Sequence, residues 1–268
     1  MNRNEVQSPQ QRNTKQSILP LSPESIKSYW EQRAMEYNNL SWANDKGFLD
    51  HIIAAGNFRS SDTVLEVGTG TGLVAKAISP LVKKITAIDS SSHMLNLTPN
   101  ELSNIEWVVG DTRSLPYKDD TFDRVVARYV FHHILCGTAK AMSECYRVLK
   151  RGGSMIFVEG VPPSRRTLQD FISIFALKEN RLTFMPEDMA NMMSAAGFVQ
   201  LQSEMLLLRQ MSVNNWLRSS GLSDNRQQTI FKMHQNASAC FKEDYRMTET
   251  ENDCLIDMKI IILVGNKS

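Results

Sequence analysis

From residue 60 onward the chain alternates between short apolar runs and amphipathic segments. The runs TVLEVG (63–68), KITAID (84–89), IEWVVG (105–110), FDRVVARYV (122–130) and SMIFVEG (154–160) are rich in β-branched residues and short, which predicts buried strands. Helical or loop segments lie between them. Met142, Cys145, Tyr146 and Leu149 fall at i, i+3, i+4 and i+7, with Gly152-Gly153 as the expected helix stop. Strand–helix alternation of this kind predicts an α/β fold with a mostly parallel sheet covered on both faces.

Helical patterns precede the alternation. Ser22-Pro23-Glu24 reads as a helix start, and Ile26, Tyr29, Trp30, Arg33, Ala34 and Tyr37 then share one face. A second helix carries Phe48, Leu49, Ile52 and Ile53 and stops near Gly56, so 22–58 is expected to be a helical cover. Residues 1–21 are polar and rich in Gln and Asn, which reads as a disordered tail. Past the alternating region, 162–184 and 212–253 are expected to be lid segments. Between and after them come the helix PEDMANMMSAAGF and the strands VQLQSEMLLLR and LIDMKIIILVG, expected to pair antiparallel at one sheet edge. The whole of 22–268 is read as a single domain.

Composition changes this picture little. The 268 residues are 42% hydrophobic and 22% charged with a net charge of +1, so there is no overall electrostatic case for nucleic acid or an anionic membrane. The first residues lack the apolar core of a secretory signal, and CLIDMKIIILVG is too short and too charged to span a bilayer. The four cysteines form no C-x-x-C pair. A cytoplasmic location, with a monomer or homodimer, is the resulting expectation.

The sharpest chemical signal is VLEVGTGTG (64–72), a strand running into a glycine loop and then a helix near Leu73. Glycines admit positive φ and let a ligand approach the backbone. Leu73 stands where the dinucleotide fingerprint needs its third glycine, and no Gly-Lys-Ser/Thr follows as in a phosphate loop. Glu66 beside the loop disfavours a pyrophosphate and suits a cationic amine. Asp89, ending the second run, can accept from both hydroxyls of a ribose. Asp111, after the third, can accept from a purine amine.

E-V-G-T-G-T-G, D-S-S-S-H-M-L, G-D-T-R-S-L-P-Y, F-D-R-V-V and R-V-L-K-R-G-G together resemble a class I S-adenosylmethionine-dependent methyltransferase. The chain is most similar to the small-molecule group that includes the ubiquinone/menaquinone biosynthesis methyltransferases. The resemblance covers Ser22 to Gly160 and, less closely, 195–209. It implies a Rossmann-like, seven-stranded, mostly parallel sheet whose last strand is antiparallel. It implies S-adenosyl-L-methionine as cofactor, with Glu66, Gly68, Thr69, Gly70 and Gly72 at the methionine end and ribose. It further places Asp89 on the ribose hydroxyls, Ser90 and Met94 near the adenine, and Asp111 and Thr112 on the adenine amino edge. Arg128 and Tyr129 would border cofactor and acceptor, and Tyr29 and Tyr37 would help close the site.

The methyl acceptor is expected to be a small organic molecule, methylated on O, N or C. Tyr129, Phe131 and Trp216 favour an aromatic or apolar pocket. Cys136 is expected to be a small buried apolar residue. A protein or RNA methyltransferase and a non-catalytic cofactor-binding scaffold remain as alternatives. The stretch ARYVFHHI (127–134) raises one more question. His132 or His133, with Tyr129, is a candidate catalytic group, as a base or an orienter of the acceptor; packing is the alternative. No metal is expected, because adjacent histidines on an extended strand point apart and no carboxylate accompanies them.

Overall fold

The structure is a computed structural model and describes residues 43–98 and 102–268. Strands β1 (Thr63–Val67), β2 (Lys84–Asp89), β3 (Ile105–Val109), β4 (Phe122–Arg128) and β5 (Leu149–Val161) are mutually parallel. Strands β6 (Val199–Ser212), β7 (Thr248–Glu249) and β8 (Cys254–Asn266) complete the sheet, in the order β3-β2-β1-β4-β5-β8-β6, with the short β7 also on β8. β8 runs antiparallel to both of its long neighbours. The expected mostly parallel sheet with an antiparallel last strand is therefore present, β7 being a two-residue addition.

Chain direction across the sheet reverses between β1 and β4. Val67 pairs with Ile88 on one side and with Ala127 on the other, so three strands end level around a crevice. Ligands of open α/β sheets lie at such a switch point.

Alternation along the strands divides the core. In β4, Val125 and Ala127 face helices α4 (Thr138–Val148) and α6 (Pro186–Ala196), packing with Met142, Cys145, Met189 and Met193. Val126 points the other way, toward Phe48 and Ile52 of α1 (Lys46–Gly56) and Val74 and Ile78 of α2 (Leu73–Ile78). Helix α3 (Ser92–Leu95) is a single turn after β2. A third cluster, Phe171, Phe175, Leu217, Ile230, Phe241 and Tyr245, joins α5 (Leu168–Lys178), α7 (Val213–Arg218), α8 (Asp224–Gln235) and α9 (Ala239–Asp244) into a small lobe.

Two local expectations change. Leu149 leaves the helix (φ −71, ψ 141) and opens β5, so Gly152-Gly153 lies inside a strand. Pairing there shifts register between Phe122 and Arg124, and Gly152 at φ 76 takes up the irregularity. β4 stops at Arg128 instead of Val130, because Tyr129 adopts φ 57. Arg165 and Arg166 are exposed and ion-paired to Glu187 and to Glu243 and Asp244. The helix predicted from Ser22, with Tyr29 and Tyr37, lies outside the described residues.

Candidate active site

The glycine loop turns the chain off β1 at the crevice. Gly68, Gly70 and Gly72 have φ of 64, 57 and 80, a region where a Cβ is strained. The loop is fixed by hydrogen bonds donated from Thr69 N to Ile88 O (3.1 Å) and from Gly70 N to Asp89 Oδ2 (2.8 Å). A Cβ on Gly72 would come 2.5 Å from the Trp107 ring, whereas one on Gly70 would meet nothing within 4 Å. Gly70 is thus the open position. Gly72, expected among the binding residues, is off the cavity wall and makes room for Trp107 instead.

Acids surround that loop. Glu66 is buried and accepts a hydrogen bond from Thr69 Oγ1 at 2.7 Å. Burial pushes its pKa up to about 7, against the opposing pull of Thr69 and the nearby Arg128. Asp89 also accepts from Ser91 N at 2.8 Å; burial raises its pKa more than these backbone bonds lower it. Asp111 is exposed and clasped by the Arg113 guanidinium, which lowers its pKa. Arg128 is buried, donates from Nη2 to Ala43 O at 3.0 Å and lies 4.7 Å over the Phe48 ring.

A cavity of about 430 Å³ runs from this loop to the small lobe. Glu66, Gly68, Thr69, Gly70, Asp89, Ser90, Met94, Asp111, Thr112 and Arg128 line its first half. Tyr129, His132 and His133 lead into the second, whose far wall is built from Phe171, Phe175, Lys178, Glu179, Arg181 and Trp216. Of the sequence-derived acceptor residues, Tyr129 and Trp216 face the cavity, but Phe131 is fully buried in the core against Phe157. Cys136 also departs from expectation: it is exposed and borders the cavity.

The two histidines occupy a 3-10 turn, Phe131–His133, not an extended strand. Their rings therefore lie side by side, 4.0 Å between centroids, instead of pointing apart. His132 is buried, and its Nδ1 lies 2.6 Å from Glu159 Oε2. Its backbone N–H also donates to Glu159 Oε1 at 3.2 Å. Glu159 has no exposed surface, and burial pushes its pKa up to about 8 despite the opposing charge of Arg181. A carboxylate behind an imidazole fixes its tautomer and orientation. Sequence reading missed Glu159, which looks like one polar residue in a buried strand.

The reason given for excluding a metal also fails. Ligand atoms of His132, His133 and Glu179 lie within 4.8 Å of one another, and a carboxylate does accompany the imidazoles. Those residues could hold a metal ion. However, Glu179 is already paired with Lys178 Nζ at 2.6 Å and Arg181 Nη1 at 3.4 Å, two buried cations that oppose a third. The backbone bond from Leu182 N to His132 O (2.8 Å) fastens this charged segment to the histidine turn. Lys178, Glu179 and Arg181 carry no motif; they follow an amphipathic helix and would pass for its solvated end.

Among the described residues, no helix is long and apolar enough to cross a membrane.

Residues 65–157 match the family model described as a methyltransferase domain. A demethylmenaquinone methyltransferase of Thermotoga maritima is 35% identical over 119 residues, 44% of this chain and 52% of that protein. The chain thus spans about half the length of that relative. An uncharacterized methyltransferase of Bacillus subtilis, YcgJ, is 24% identical over 225 residues, 81% of this chain and 88% of that protein. The crystal structure of YcgJ superposes with a TM-score of 0.75 at 25% identity, covering 82% of this chain and 97% of that one.

Proposed function

This chain belongs to the class I S-adenosylmethionine-dependent methyltransferases, and on that premise we propose that it methylates a small organic acceptor held between Tyr129 and Trp216, with His132 as the group that takes the acceptor's proton. The carrying observation is the buried His132–Glu159 pair in the wall of a cavity that begins at the glycine loop.

The residues of the first half suit S-adenosylmethionine. Glu66 offers an acceptor-only carboxylate to an amine, Asp89 offers one to vicinal hydroxyls, and Gly70 leaves the space a side chain would fill. Ser90, Met94, Asp111 and Thr112 border the same half and suit the adenine end. When bound, the cofactor supplies an already activated methyl group, so the protein mainly aligns the acceptor and excludes water. Tyr129 and the lobe aromatics form the apolar wall that does both. An acceptor that must lose a proton needs a base. Once Glu159 is ionised, as pH rises through its pKa of about 8, its carboxylate accepts the Nδ1–H of His132, and the lone pair then at Nε2 takes the acceptor's proton. His133, in ring contact with His132, helps to position it.

The Thermotoga maritima relative is named for methylation of a quinone precursor, which supports a phenol-like or carbon acceptor of modest size. The near-neutral chain charge supports a small molecule over RNA. Mass spectrometry of a metabolite extract incubated with the protein and methyl-labelled cofactor tests the proposal. A labelled small product that disappears in His132→Asn is expected. Tight binding of S-adenosylhomocysteine with no labelled product in any fraction would favour the scaffold reading and overturn this one.

A further inference from the structure

The small lobe holds a second cavity, a chamber of about 20 Å³. Phe171, Phe175, Met211, Trp216 and Met258 line both this chamber and the main cavity, so the two adjoin. About 10–15 Å³ of such space admits one water-sized group, so the chamber has room for a hydroxyl and little more. Two of the shared residues are methionines, whose unbranched side chains give way to a passing group.

The chamber wall is apolar or aromatic apart from Ser212, His234 and Tyr245. Ser212 Oγ is already engaged: it donates to Asp253 and accepts from Asn215 N at 2.9 Å. His234 is 2% exposed, and its Nδ1 lies 2.8 Å from Ile230 O within helix α8. A carbonyl oxygen only accepts, so the ring proton sits on Nδ1 and Nε2 presents a lone pair. Burial lowers the pKa of His234 more than that bond raises it, which keeps the ring neutral. Tyr245, just after α9, is 3% exposed. Neither His234 Nε2 nor the Tyr245 hydroxyl has a hydrogen-bond partner among the described residues, and neither is among the sealed side-chain atoms, so both keep open surface. The open space that these two buried residues border is the chamber.

We propose that the chamber binds a hydroxyl group of the methyl acceptor, at the end remote from the methylated atom. The hydroxyl donates to His234 Nε2 and accepts from the Tyr245 hydroxyl, while the acceptor's aromatic frame lies in the main cavity against Phe171, Phe175 and Trp216. This rests on the methyltransferase reading for the word acceptor, but the hydroxyl site itself does not. A hydroxyl donates and accepts at once. A carbonyl has no proton for His234, and an alkylammonium brings a charge that no carboxylate in the chamber wall balances. A site built around a substrate hydroxyl rejects the analogue that lacks it, because its own polar groups are then left unpaired.

Calorimetric titration with phenol and toluene, two frames of nearly equal shape, reads this directly. Wild-type protein should bind phenol about tenfold more tightly than toluene. His234→Phe, which keeps a ring in the lobe and removes the lone pair, should bring the two within about twofold. His132→Asn should leave the preference intact, which separates this hydroxyl from one at the transfer site. In protein with isotope-labelled histidine, phenol should shift the nuclear magnetic resonance of His234 Nε2 and toluene should not, a response that a purely structural histidine does not give. Equal affinities in the wild type, a preference that survives in folded His234→Phe, or a His234 Nε2 resonance unmoved by phenol would each overturn the proposal. The last result is also the one expected if the chamber takes only a structural water. Should His234→Phe not fold, the wild-type comparison and the resonance still decide. A separate titration with S-adenosylhomocysteine reports on the methyltransferase reading alone. Its failure alongside a clear phenol preference sinks that reading and leaves the hydroxyl site standing.

Discussion

His132 and His133 share one turn, but only His132 has Glu159 bonded to its ring. That asymmetry assigns them different weights. His132→Asn should lower turnover by about 10²–10³-fold, the usual contribution of a positioned acid–base group. His133→Asn should cost less than about tenfold, while S-adenosylhomocysteine affinity stays within about threefold in both. Steady-state rates on the labelled acceptor, with calorimetry for the cofactor product, check this. Equal losses in the two variants would remove the assignment. Glu159 also makes a thermodynamic prediction. Its folded pKa is raised from 4.5 to about 8, so between those values the unfolded chain has released a proton that the native carboxyl still holds. Its contribution to stability is present at low pH and is lost as pH rises through that window. Glu66, raised to about 7, acts in the same direction. Urea midpoints should therefore decline as pH rises across this range, and Glu159→Gln should flatten the decline. A slope unchanged in Glu159→Gln would mean that the pair ionises together, as carboxylate and imidazolium.

The glycine loop behaves as an element because each glycine serves a different neighbour. Gly68 and Gly72 are closed off by Val130 and Trp107, and Gly70 opens to the cavity. Gly72→Ala should destabilise the fold by about 1–3 kcal/mol, since a positive φ and a displaced indole add together. Gly70→Ala carries only the backbone strain, yet its methyl enters the space assigned to the cofactor. It should weaken S-adenosylhomocysteine binding by more than tenfold with the smaller loss of stability. Denaturant midpoints paired with calorimetry separate the two, and the reverse ranking would refute this division. Tyr129 repeats the device without glycine. At φ 57 it costs strain, and in return the chain leaves β4 as a tight turn that sets Tyr129 and both histidines on the cavity wall.

At the scale of the molecule, two core clusters cover the faces of the sheet and a third belongs to the small lobe. The cavity lies between the crevice of the sheet and that lobe, so cofactor-side and acceptor-side residues rest on different packing. Phe241 is almost fully buried in the lobe and distant in sequence from the glycine loop. Phe241→Ala should cost about 3–5 kcal/mol of local stability. Loss of hydrogen-exchange protection should be confined to α5 and α7–α9, with a raised KM for the acceptor and an unchanged affinity for the cofactor product. Protection lost equally in β1–β5 would show that the lobe and sheet unfold as one unit.

Local pattern was enough for much of this. β-branched runs placed β1–β4 to within about two residues but missed the start of β5 at Leu149, and the glycines with Glu66, Asp89 and Asp111 marked one end of a cavity, because periodicity and turn chemistry act over neighbouring residues. The boundary of β4 was not legible, since nothing local announces that Tyr129 takes a left-handed conformation. Beyond that turn, two histidines expected to diverge lie with their rings in tilted contact. The acceptor side was hidden for a related reason. Glu159 reaches His132 only because β4 and β5 pair in one register. Lys178, Glu179 and Arg181 reach them only because a backbone hydrogen bond joins Leu182 to His132. The sequence by itself determined the sheet, the glycine loop and the acids that face it, all of which depend on short-range spacing. Only the tertiary structure decided which carboxylate lies behind His132 and which charged side chains share the far wall of the cavity, because those depend on segments that meet through folding.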